Sequence, residues 1–336
     1  HVNAWTATEH SNYFFDVNHD GFETALAMFS EFFHCPLFDE ERMEQEKKAI
    51  DSEFKLKVKD DLRRLYQVHK ETCNPDHPFS KFSVGNAQTL GAVENRALQD
   101  TLVKHYKEHY VGARMTLVML STGSLSDLEA QALLYFGPIA CGRAKADAPV
   151  MPLYLKQHLG IQIAIVPLKD AKRLILSFAL PGIDSYYRTK PVAYLSHLIG
   201  HEGKGSLLSY LKNKGWVNNL SAGGGVNGSN FKDFNINIQL TELGVQKTTE
   251  IISSVFSFIQ LIKKTGIQAW VFEEKSKLAN LSFALKEKEK PIDYASHLSI
   301  SMQHYPEQHW ISGDYILDKF DEPSILSLLD LMTPTN

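Results

Sequence analysis

The chain has 336 residues, 43% of them hydrophobic and 22% charged, with a formal net charge of −4. That length accommodates two domains of ordinary size, and the balance is that of a globular protein with real cores. The charge excludes the basic footprint that a phosphate backbone demands, and no apolar run approaches the roughly 20 residues that cross a bilayer, so neither nucleic acid nor a membrane span is expected.

Two alternating runs open the chain, at residues 2–8 and 13–17, and the polar link between them predicts an antiparallel pair. Asp20 is then expected to cap a helix whose apolar face carries Phe22, Leu26, Phe29, Phe32 and Phe33. After Pro36 the spacing predicts one long polar helix over 39–69, followed by a loop rich in Asn, Pro, Gly and Ser over 73–87. Helices are expected at 96–110 and 126–135, with a strand at 115–121 between them. Residues 141–152 have the small, polar, proline-bearing composition of a linker, which places domains at 1–148 and 149–336. The second half predicts strands at 161–167, 173–180 and 234–240, and helices at 191–199, 206–213, 243–264 and 267–285. Gly223-Gly224-Gly225 reads as a flexible turn, and the charge run at 286–290 as a solvated helix end. This order fits mixed sheets with helices packed on them, an α+β class repeated twice.

Cys35, Cys73 and Cys141 are widely spaced and form no C-x-x-C pair, so buried or incidental thiols are expected. Glu46, Glu53 and Asp60 recur every seven residues and project from one helix face. Such a stripe is either a solvated acidic face or a metal-facing one, and spacing does not choose. His105-Tyr106-Lys107-Glu108-His109 formally matches the inverted zinc motif H-x-x-E-H. Against that, Leu98, Leu102, Tyr106 and Tyr110 already make this helix's apolar stripe, and no third ligand presents itself nearby. His197 and His201 form a second i, i+4 pair, but no glutamate stands between them to act as base.

Four long blocks add a resemblance that spacing alone does not give. NAWTATEHSNY (3–13), FSEFFHCPLFDEERMEQEKKAIDSE (29–53), NPDHPFSKFSVGN (74–86) and HLIGHEGKGSLLSYLKNKGW (197–216) together resemble the insulinase (pitrilysin) family of zinc peptidases over essentially the whole chain. The resemblance implies two tandem LuxS/MPP-like metallohydrolase domains, the first catalytic in type and the second a non-catalytic, peptide-anchoring one. It places Glu53 on the third zinc ligand and Glu46 on the supporting carboxylate two turns earlier. It places Asn3, Ala4 and Trp5 on a substrate-pairing edge strand, and His197, Gly200, Glu202, Leu220, Ser221 and Ala222 on a surface that anchors a peptide's N-terminal end. The family's H-x-x-E-H motif falls ahead of His1, so the chain is expected to be truncated there and again near Met332-Thr333-Pro334. As implied function this gives a zinc-dependent endopeptidase acting on peptides and small proteins. Zn2+ belongs to the full-length enzyme, while this piece is expected to be metal-free and inactive alone. The expected partners are peptide substrates and the remainder of its own chain. The competing expectation is a non-catalytic peptide-binding or scaffold homologue of the same fold. The resemblance tilts the compartment toward a bacterial periplasm, with cytoplasm as the alternative.

Overall fold

The structure is a computed structural model that describes residues 1–143, 149–169 and 171–336. Residues 144–148 of the expected linker, and with them the expected boundary at 148, lie outside the described residues. In chain order the elements are β1 (Val2–Thr6), β2 (Ser11–Phe15), α1 (Phe22–His34), α2 (Glu40–Lys57), α3 (Asp61–Glu71), α4 (Ala87–Gly91), α5 (Asn95–His109) and α6 (Leu125–Phe136). They continue with β3 (Arg173–Pro181), α7 (Pro191–Ile199), α8 (Leu207–Asn213), β4 (Val217–Gly228), β5 (Phe231–Leu240), α9 (Glu242–Val245) and α10 (Thr248–Thr265). The last are α11 (Ala269–Ala284), α12 (Pro291–His304) and α13 (Glu322–Leu331).

Two compact units divide these elements, and they interleave in sequence. The first comprises His1–Arg63, Phe82–Asp147 and Glu287–Ile311; the second comprises Arg64–Lys81, Ala148–Lys286 and Ser312–Asn336.

In the first unit β1 and β2 pair antiparallel from Val2↔Phe15 to Thr6↔Ser11. α1 begins after a 3-10 turn, His19–Gly21, so Gly21 rather than Asp20 stands at its N-cap and no side chain caps it. Its inner face builds an aromatic cluster: Phe29 lies 4.9 Å from Phe15 and 5.1 Å from Phe33 between ring centroids. Phe32, expected on that face, is instead exposed at its edge. Asp39 caps α2 by accepting from the Arg42 amide at 2.9 Å. The expected long helix is in fact two: α2 stops at Lys57, and Asp60 accepts from the Leu62 and Arg63 amides to start α3. Aspartate competes with the helical backbone for those amides, and the heptad count could not reveal it.

Residues 115–121 do not form the predicted strand. Thr116 Oγ1 donates to the Ser299 carbonyl at 2.8 Å and Gln303 Nε2 to the Arg114 carbonyl at 3.4 Å, so α12 holds this segment in place of a neighbouring strand.

The second unit is built on an antiparallel three-stranded sheet of order β3-β5-β4. On β5, Phe234, Ile236, Ile238 and Leu240 are buried while Asn235, Asn237 and Gln239 between them are less so, the period of two expected of a half-covered strand. These residues share a core with Tyr194, Leu195 and Ile199 of α7, Ile251 and Ile259 of α10, and Leu328 and Leu329 of α13. Each fully buried aliphatic side chain contributes roughly 1.5–3 kcal/mol. The expected helix over 243–264 begins as two pieces, α9 and α10. Residues 161–167 also lack the expected strand; a strand needs a ladder partner, and here the Val166 carbonyl is taken by the Arg64 guanidinium at 3.2 Å.

Gly223-Gly224-Gly225 is not a turn but lies within β4, at the start of a register shift between Gly224 and Asn227. A Cβ on Gly225 would sit 2.1 Å from Asn235 Nδ2, so any larger residue there displaces the Asn235 amide.

Candidate functional site

Beyond the exposed Glu40 of its first turn, the acidic side chains of α2 fall into two sets. Glu41 accepts from Gln45, Glu44 pairs with Lys47 at 3.0 Å, and Asp51 pairs with Lys55 at 2.6 Å while accepting from the Ala87 amide at 2.8 Å. These bonds to cations and amides hold the Glu44 and Asp51 carboxyls below the usual carboxylate range. Lys47 also donates to Asn95 Oδ1 at 2.6 Å, tying α2 to α5. Glu46 and Glu53 form the second set. Both are exposed, stand seven residues apart on one face, and make no hydrogen bond or ion pair among the described residues. Asp60, the third member of the expected stripe, belongs to the cap of α3.

A zinc centre needs three or more protein donors, and among the described residues no group of histidine, cysteine, aspartate and glutamate side chains converges to hold a metal. These residues do not by themselves fit a zinc ion. α2 offers Glu53 as a single donor. The histidine motif on α5 adds none: the His105 and His109 rings lie 4.5 Å apart between centroids, tilted by 39°, and Arg114 Nη1 donates to His109 Nδ1 at 2.9 Å. Burial and His109 hold the His105 imidazole below its ordinary pKa.

β1 is exposed along its whole length and has β2 as its only ladder partner among the described residues. Asn3 Oδ1 accepts from the Ala4 amide at 2.9 Å. The Trp5 indole meets His10 edge-on at 5.2 Å. Behind this edge, the buried Asn12 of β2 donates to the Ser296 carbonyl at 3.2 Å and to Ser299 Oγ at 3.0 Å, and accepts from Ser296 Oγ. α12 therefore fixes β2, and β1 is left open on its other side.

In the second unit the structure brings together two segments that the sequence keeps apart. α7 ends at Gly200, where an added Cβ would lie 2.8 Å from the Ser196 carbonyl and 3.3 Å from the Ala222 amide. The bend through Gly200 thus lies directly against β4, which places His197–Glu202 beside Leu220–Ala222. Leu220 is buried as a whole residue, whereas Ser221 and Glu202 are exposed. β4 is one of the two edges of its sheet. Burial, then Lys275 and His201, hold the half-buried His197 imidazole below its ordinary pKa.

A polar cluster that the sequence did not reveal lies in the same unit. Tyr154 donates to Asp233 Oδ1 at 2.9 Å, so the 2.5 Å contact between its oxygen and His69 Nε2 has the imidazole as donor. Asp233 Oδ2 sits 3.3 Å from His69 Nε2 without an aligned hydrogen bond. Cys73 Sγ donates to the His69 carbonyl, and the buried Lys70 ammonium donates to the Phe79 and Lys81 carbonyls. Burial pushes Asp233 up to about 6, His69 down to about 4 and the Cys73 thiol up to about 12. These partners are separated by 85 and 79 residues, so no local pattern could have joined them.

Comparison with known proteins gives three family matches along the chain: Insulinase (Peptidase family M16) over residues 1–78, Peptidase M16 inactive domain over 98–278, and the middle or third domain of peptidase M16 over 283–336. Insulin-degrading enzyme of Bos taurus and that of Homo sapiens are each 39% identical to it over 339 residues, covering 99% of this chain and 33% of the relative. The crystal structure of pitrilysin superposes with a TM-score of 0.92 at 27% identity, over 100% of this chain and 36% of that one. The chain therefore spans about a third of the length of these relatives. Among the described residues no helix is long and apolar enough to cross a membrane.

Proposed function

The chain belongs to the insulinase family, peptidase family M16, and from that premise we propose that it is part of a zinc-dependent endopeptidase acting on peptides and small proteins. The observation that carries this reading is the state of α2: Glu41, Glu44 and Asp51 are engaged, while Glu46 and Glu53 stand exposed seven residues apart on one face, Glu40 in the first turn being exposed as well. Glu53 is the metal ligand contributed by this chain, and Glu46 the carboxylate that supports it. Glu53 and Glu46 are the residues of this chain that would hold and support a zinc ion, and the chemistry such an ion would supply is an activated water for attack on a peptide carbonyl. β1 receives an extended substrate by strand addition, with the backbone of Asn3–Trp5 as the pairing edge and the Trp5 indole toward a substrate side chain.

In the second unit, His197, Gly200 and Glu202 together with the edge backbone of Leu220, Ser221 and Ala222 anchor the free N-terminal end of a peptide. Glu202 is the partner of its ammonium group. The 98–278 match to a domain described as inactive favours a binding role for this part, and a non-catalytic, peptide-binding homologue is the second reading.

The test compares this chain with the protein at its relatives' full length on an unstructured fluorogenic peptide. Hydrolysis by the long form and none by this chain is expected. Hydrolysis by neither would leave the peptide-binding reading in its place.

A further inference from the structure

We propose that a cavity beside His197 receives the carboxylate side chain of an acidic residue near the start of the anchored peptide. The proposal rests on the anchoring reading above and adds a specificity pocket to it. The cavity has a volume of about 270 Å³ and is lined by Lys190, His197, Glu274, Lys275, Asp314 and Tyr315, over an apolar floor that includes Leu278 and Leu317. That volume admits one side chain, while His197 belongs to both the cavity and the anchoring surface.

The two lysines differ. Lys190 Nζ donates to the carbonyls of Gly313, Asp314 and Ile316 at 2.9, 2.8 and 2.8 Å, so its three protons are committed. Lys275 is half-buried, and among the described residues it makes no hydrogen bond or ion pair. Burial holds its ammonium below the ordinary lysine range. An ammonium that has lost water without gaining an acceptor is stabilised by an incoming anion.

Charge selects the anion. Lys190 and Lys275 carry two positive charges and Glu274 and Asp314 two negative ones, so the empty cavity is formally neutral around a neutral His197. A single carboxylate makes it −1, and one proton taken up by His197 restores neutrality. A phosphate dianion would exceed that and crowd against Glu274 and Asp314. The groups facing His197 are thus Lys190 at the N-cap of its own helix, Glu274 and Lys275 from α11, Asp314 and Tyr315 from the segment between α12 and α13, and His201 at 5.9 Å between centroids.

The experiment uses otherwise identical free-amine peptides in which one glutamate, or glutamine as control, is moved along the early positions. Binding to this chain is followed by NMR and calorimetry. At the matching position glutamate should bind about tenfold tighter than glutamine, and the His197 pKa should rise on saturation. Lys275→Met should abolish the difference and Lys275→Arg should keep it, while Glu202→Gln weakens both peptides alike. If Glu202→Gln weakens binding but glutamate has no advantage at any position, the pocket is wrong and the anchor stands. If no peptide binds, N-acetylglutamate amide decides the matter directly. Shifts at Lys275 and His197 then keep the carboxylate pocket without the anchor, and no shifts overturn it.

Discussion

The buried His69–Tyr154–Asp233 cluster makes an unusual statement about protons. Asp233 rises from 3.8 to about 6 because burial penalises its charge, so the folded chain holds that proton more tightly than the unfolded one. Its contribution to stability is therefore present below pH 3.8 and lost as pH rises toward 6. His69 falls from 6.5 to about 4 through burial and the neighbouring Lys70. Its contribution is present above 6.5 and lost as pH falls toward 4. Each shift is worth roughly 3 kcal/mol across its window. The two slopes oppose one another, because folding moves about one proton from the imidazole to the carboxyl and changes the total little.

The wild type should thus show almost no pH dependence from this pair between about pH 4 and 6.5. Removing either partner exposes the other. Relative to wild type, Asp233→Asn should gain stability with rising pH by roughly 3 kcal/mol over that interval, and His69→Gln should lose about as much. Urea unfolding at a series of pH values reads both. In a background with Trp5 and Trp310 replaced by phenylalanine, Trp216 and Trp270 report on the second unit alone. Differences from wild type that run parallel in the two variants, or do not vary with pH, would refute the reasoning.

Alkylation offers a simpler check on the same region. Iodoacetamide at pH 8 should modify the exposed Cys35 and Cys141 and spare Cys73, which is buried with its pKa raised to about 12, until urea unfolds the chain; equal labelling of all three in the native state contradicts this. Gly225→Ala should destabilise the second unit by roughly 1–3 kcal/mol, because its Cβ would collide with Asn235 across the β4–β5 ladder. An unchanged urea midpoint would show that the strands part without cost.

Much of the architecture was legible because it is periodic. The alternation along β5 and the helical spacing of α1 and α10 follow from one buried face per element, and the opening pair from two short runs joined by a polar link. What escaped depends on groups far apart in sequence. A seven-residue spacing from Glu46 to Asp60 could not show that Asp60 caps a new helix. The apolar run at 115–121 looks like a strand until α12, arriving some 180 residues later, takes its hydrogen bonds. Three successive glycines read as a turn because nothing local announces the β5 side chains, Lys232 against Gly224 and Asn235 against Gly225, that lie close to this stretch of β4. The candidate residues themselves came from long matched blocks, not from periodicity. The structure adds the approach of Gly200 to Ala222, and the open edge of β1 backed by Asn12.

The central claim is that Glu53 is a zinc ligand, and metal content tests it most directly. The protein at the full length of its relatives, dialysed against a weak chelator, should retain about one zinc per chain by elemental analysis. Glu53→Gln should lose most of that zinc, because a neutral amide is a poorer donor to a dication, while Glu41→Gln on the same helix should not. Undiminished zinc in Glu53→Gln, or no zinc in the wild type, would contradict the assignment.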